Sequence, residues 1–130
     1  MPRAYTVATA ALALQVPNKW LDNTLSHYHV QGVGQDRQGV SRRLSVESLT
    51  ILAIALVLVN DLETPLAKAL TLGSALLTSA GQLDLPSGTK LQLDLEKTTT
   101  LLLERLEHAV EIAPLPRRGR PPQKTTGRLE

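Results

Sequence analysis

The densest run of one chemistry lies near the carboxyl end, where Arg117, Arg118, Arg120, Lys124 and Arg128 stand among Pro116, Pro121 and Pro122. Cations at this spacing attract polyanions, and prolines keep a segment extended so that less entropy is lost on binding. Gly119 places no side chain between Arg118 and Arg120, so the backbone there can approach a narrow surface closely. Nucleic acid is the polyanion this arrangement suits. Asn18, Lys19, Asn23 and His27 form a second group, spaced to share one face of a helix. Asn can read adenine in a major groove, and Lys can meet phosphate or guanine. A third group, Arg37, Arg42 and Arg43, lies in a glycine-flanked stretch and offers cations for phosphate.

Other reactive residue types lead nowhere comparable. Cysteine is absent, which excludes disulfides and thiolate chemistry. His27 and His29 stand near a helix end with no clustered acid, so no metal site is expected. His108, between Glu104 and Glu111, reads as a solvated or ion-paired histidine. Asp94 and Glu96 read as a solvated helix start rather than an acid/base pair. Gly32-Val33-Gly34 does not lead from a strand into a helix, so it is no dinucleotide loop. No nucleophile stands with a base. The expectation is a non-enzyme with no cofactor and no small-molecule ligand.

The groups must be held by a small framework. The 130 residues fit one compact domain plus a tail. Hydrophobic residues make up 42%, yet Phe is absent and Trp20, Tyr5 and Tyr28 are the only aromatics. A core of Leu, Val, Ile and Ala favours helices. The strongest apolar run, residues 49–59, is too short to span a bilayer, and no secretory signal is visible. A soluble, cytoplasmic protein is expected, nucleoid-associated if prokaryotic.

Net charge is +2 but unevenly spread. Residues 1–50 carry +2, residues 51–113 carry −4, and residues 114–130 carry +4. Two basic ends suggest polyanion contact, and the acidic middle suggests protein contact or solvation.

Local signals place the elements. Thr6 caps an alanine-rich helix, and Leu14-Gln15-Val16 makes a turn. Pro17 starts a second helix over residues 17–28, with Leu21, Leu25 and Tyr28 expected to face the first. Asn18, Lys19, Asp22, Asn23, Ser26 and His27 are left toward solvent, and Trp20 reads as domain packing. Residues 30–33 and 40–44 flank a polar tip and read as a hairpin, with Arg42 and Arg43 on opposite faces. Ser45 caps a buried third helix over residues 46–61. Thr64-Pro65 starts a fourth that runs to about residue 80, closed by Gly81. Residues 82–85 and 90–94 flank Pro86-Ser87-Gly88-Thr89 as a small hairpin. A fifth helix over residues 96–112 presents Leu102, Leu106, Ala109 and Val110, with Leu103 beside them, and Pro114 and Pro116 stop it.

The order helix, turn, helix, wing, helix, helix resembles the MerR-like winged-helix DNA-binding domain over residues 5–76. Tyr5-Thr6-Val7 resembles the opening of its first helix, and Val16-Pro17-Asn18-Lys19-Trp20-Leu21 that of its second. Arg42-Arg43-Leu44-Ser45 followed by Leu49 resembles the wing's exit into the third helix, and Thr64-Pro65-Leu66 the start of the fourth. The family usually has an arginine and tyrosines just after the leucine matching Leu21. Here Asp22-Asn23-Thr24 follows, and Asp22 would repel phosphate. The family's long dimerising helix and effector domain have no clear counterpart. Separately, Arg118-Gly119-Arg120-Pro121 resembles the AT-hook, which implies an arm lying in a narrow A·T-rich minor groove.

The expected fold is therefore mainly α: a winged helix-turn-helix with a second small hairpin, a carboxyl-terminal helix and a disordered basic tail. Residues 1–80 would bind DNA, residues 81–113 would dimerise or bind a partner protein, and residues 114–130 would be the arm. The expected function is transcription regulation: helix 2 in a major groove, the wing on phosphate, and the arm in a minor groove. Double-stranded DNA and a second copy of the chain are the expected partners, with no membrane. The alternatives are an antitoxin-like protein that neutralises a partner protein and autoregulates its operon, or an architectural A·T-rich DNA-binding protein.

Overall fold

The computed structural model describes residues 4–34 and 42–112. Among the described residues the chain forms five helices and two small antiparallel sheets, in the order β1 (Ala4–Thr6), α1 (Val7–Leu14), α2 (Asn18–His27), β2 (Val33–Gly34), β3 (Arg43–Ser45), α3 (Val46–Leu62), α4 (Leu66–Thr78), β4 (Gln82–Asp84), β5 (Lys90–Gln92) and α5 (Leu95–Ile112). None of the described helices is long and apolar enough to cross a membrane.

Caps set several of these boundaries. The Thr6 hydroxyl accepts from the Thr9 N–H at 3.2 Å, and the Ser45 hydroxyl accepts from the Ser48 N–H at 3.2 Å. Each satisfies a first-turn donor that would otherwise have no helical partner. Gln15 ends α1 in the left-handed conformation, and Glu63 does the same for α3. Asp94 starts α5 by accepting from the Lys97 N–H at 3.0 Å, as its reading as a helix start requires.

α3 is the hub. Leu49, Leu52 and Ile54 are fully buried, with Ile51, Ala55 and Leu58 beside them. Such a helix has no polar face to give to water, so its neighbours must surround it. α4 packs along it with Ala69, Leu70 and Leu76, while α5 packs on both α1 and α3. Leu102, Leu106 and Ala109 of α5 join the same cluster as Leu21, Leu44 and Leu52. Leu102, Leu106 and Ala109 of the stripe predicted on α5 are thus taken up by the chain's own core, whereas Leu103 and Val110 are exposed.

Several sequence expectations need correction. Tyr5 does not open α1; it lies in β1, which pairs antiparallel with β3 as Ala4↔Ser45, Tyr5↔Leu44 and Thr6↔Arg43. β2 pairs with the other side of β3 as Val33↔Leu44 and Gly34↔Arg43, so the sheet has three strands in the order β1-β3-β2. Val30, expected in the first strand of the hairpin, sits buried at the start of the turn that precedes β2. Tyr28 does not face α1. The helix ends at His27 and Tyr28 is extended, which leaves its side chain 37% exposed while Thr24 takes the inner position.

Thr64 does not cap α4. Pro65 holds that position and makes no side-chain cap bond. α4 stops at Thr78, and both Ala80 and Gly81 after it have positive φ, +59° and +90°. The Gly81 N–H closes the end by donating to the Leu76 carbonyl at 2.7 Å, one residue beyond the expected position. Gly81 is required by packing as well as by its φ of +90°: a Cβ there would lie 2.6 Å from the Leu93 carbonyl oxygen. The Gly81 carbonyl in turn accepts from the Leu93 N–H at 2.7 Å. This tie brings the β4–β5 hairpin back beside α4, from where α5 can turn onto α1.

Candidate nucleic-acid interface

α2 carries the predicted contact residues on the side away from the core. Leu21, Thr24 and Leu25 are buried, and Trp20 is half-buried and packs against the core. Packing is therefore the role the structure gives Trp20. Asn18, Lys19, Asp22, Asn23, Ser26 and His27 are all exposed. They cover the solvent half of the helix in two rows four residues apart, Asn18-Asp22-Ser26 and Lys19-Asn23-His27. Thr24 avoids a buried unpaired hydroxyl by donating to the Trp20 carbonyl at 2.8 Å.

The start of α2 is open. Pro17 precedes the helix, and among the described residues no side-chain cap bond is made there. Partial positive charge at a helix start adds to the Lys19 ammonium there. Near the other end, the His27 ring is 2.8 Å from the Asn23 carbonyl through Nδ1. A carbonyl only accepts, so Nδ1 carries a proton and donates to it.

The His27 ring and the Asn23 backbone are thus linked in one turn, and both residues lie in the same exposed row as Lys19.

The three-stranded sheet sets Arg42 and Arg43 to different tasks. Leu44 is fully buried, so the neighbouring Arg43 points to the opposite, solvent side of the sheet and is exposed. Among the described residues Arg43 makes no ion pair. Arg42 instead reaches back to α2. Its Nη1 donates to Asp22 Oδ1 at 3.1 Å and its Nη2 donates to Ser26 Oγ at 3.1 Å. Ser26 Oγ spends its own proton on the Asp22 carbonyl at 2.9 Å, so its lone pairs remain for Arg42. The Arg42 side chain is only 23% exposed, against 59% for Asp22.

The backbone fixes this meeting of sheet and helix. The Ser45 N–H donates to the Gly32 carbonyl at 3.2 Å, just before β2 and at the start of α3. Gly32 has a φ of +92°, and a Cβ there would collide with Ser45 Oγ, the same hydroxyl that caps α3.

Asn18, Lys19, Asn23 and His27 are exposed as their spacing predicts, and Arg43 is exposed on the outer side of the sheet. Sequence reasoning did not foresee that Arg42 would be engaged with α2, or that Asp22 has a cationic partner. The i,i+4 spacing of Asp22 and Ser26 was a signal that one side chain could bridge both. Arg37, Arg117, Arg118, Gly119, Arg120 and Lys124 lie outside the described residues.

No protein-family model, curated protein or solved structure matches this chain. What stands is a mainly helical domain with two small antiparallel sheets, an exposed polar half of α2 and an exposed strand arginine.

Proposed function

We propose that this chain is a DNA-binding transcription regulator of the winged helix-turn-helix kind, similar to the MerR-like domain. α2 reads the major groove with Asn18, Lys19, Asn23 and His27. Arg43 on β3 and Arg37 grip phosphate, and Arg117, Arg118, Gly119, Arg120 and Lys124 form the minor-groove arm. The observation that carries the reading is the uniform exposure of that α2 face above a fully used apolar side. The element order α1, α2, β2, β3, α3, α4 supports it, since it is the order the resemblance implies. The basic tail supports it further, because a tethered second site raises effective concentration at the first.

A second copy of the chain fits the same reading, since two half-sites are bound by two recognition helices. Leu101, Leu103, Val110 and Ile112 of α5 remain exposed for that contact. Selection of bound sequences from random DNA, with full-length and tail-less protein, tests the proposal. A defined motif retained without the tail is expected. Loss of every preference with the tail would instead indicate an architectural A·T-rich binder, and recovery of no DNA would end the reading.

A further inference from the structure

The Asp22–Arg42–Ser26 cluster carries an inference about how helix and wing are held in register. We infer that Arg42 is a positioning residue: it clamps α2 to β3 and leaves Arg43 as the wing's phosphate contact. This rests on the DNA-binding reading for its functional consequence, though the clamp itself belongs to the free protein.

Three observations converge. The two Arg42 bonds go to acceptors one helical turn apart on α2, at 3.1 Å each. A guanidinium presents its donors as a rigid planar fork, so one side chain can satisfy both at once. Arg42 adjoins β3, the central strand of the sheet, so whatever fixes Arg42 fixes the sheet's angle to the recognition face. The Arg42 side chain is the more covered partner, 23% exposed against 59% for Asp22, so its guanidinium lies against α2 rather than out in solvent.

The cluster also resolves Asp22. A carboxylate on a face meant for phosphate should weaken binding, but here it is the anchor for the clamp.

Arg42→Gln, Arg42→Lys, Arg43→Gln and Asp22→Asn, titrated with selected and random DNA over a range of salt, separate the roles. A clamp predicts that Arg42→Gln loses about tenfold in affinity for the selected site while its log–log salt slope stays unchanged. Arg43→Gln should lower that slope by about 0.9. Lys cannot bridge both acceptors as a fork, so Arg42→Lys should not restore the selected-site affinity. Asp22→Asn should release Arg42 toward phosphate, raising affinity for random DNA and steepening the slope by about 0.9.

The proposal is overturned if Arg42→Gln lowers the slope as Arg43→Gln does and Arg42→Lys restores it, the behaviour of a plain phosphate contact. Guanidinium NMR of the free protein supplies a readout without DNA. Restricted Arg42 Nη rotation, lost in Asp22→Asn, is expected; free rotation in the unsubstituted protein would sink the clamp even if DNA binding were sound. Should no DNA bind at all, the functional reading fails while this spectrum still judges the clamp.

Discussion

Ser45 and Gly32 meet where the sheet hands over to the core: the Ser45 N–H donates to the Gly32 carbonyl at 3.2 Å, and the space above Gly32 is filled by the Ser45 hydroxyl. That hydroxyl also accepts from the Ser48 N–H at the start of α3. One serine therefore ends β3, caps α3 and leaves no room for a side chain at residue 32. Gly32→Ala should cost about 2 kcal/mol, since it adds a positive-φ penalty to a collision. Thermal unfolding should show a drop in Tm of roughly 10 °C. A substitution that left Tm unchanged would mean this junction is looser than its geometry.

The packing of α5 on α1 and α3 makes its inner side part of the single core. Leu106→Ala, at a fully buried position, should lower stability by about 2–5 kcal/mol through lost burial and a residual cavity. Denaturant unfolding followed by far-UV circular dichroism and Trp20 fluorescence should give coincident transitions that shift together. Separation of the two probes would indicate that residues 81–113 unfold as an independent unit.

Base reading and phosphate contact on α2 should part on salt dependence. Asn23→Ala is expected to relax preference at one base position, by about 1–3 kcal/mol of discrimination, with little change in salt slope. Lys19→Ala as a phosphate contact should weaken all sequences alike and reduce the slope by about 0.9. Fluorescence anisotropy across a salt series would measure both. Equal losses on every sequence for Asn23→Ala would remove it from the reading surface.

The tail is tested by Arg118→Ala combined with Arg120→Ala. Affinity for sites flanked by A·T-rich DNA should fall, and the preference for such flanks should disappear, while the footprint keeps its register. A narrow minor groove attracts arginine through its enhanced negative potential, so G·C-rich flanks should feel the change less. If affinity and flank preference both persist, the arm has no role in DNA binding.

The sequence by itself determined the elements whose causes are local. Thr6 and Ser45 accept from the residue three positions on, and Pro17 stands just before α2 rather than at its first position, so these helix starts can be read within one turn of chain. The same holds for the outward face of α2, because helical periodicity alone separates Leu21 and Leu25 from Asn18, Lys19, Asn23 and His27. Tertiary structure decided the rest. β1 is three residues long, too short for an alternation to show, and exists because Leu44 offers Tyr5 a partner 39 positions away. Val110 is left exposed while Leu102, Leu106 and Ala109 are buried because α1 and α3 cover only one side of α5. Above all, Arg42 and Asp22 are 20 residues apart, and no local pattern pairs them. Charge type can be read from a residue, but whether that charge meets a phosphate or a carboxylate depends on which side chains the fold places within hydrogen-bond reach.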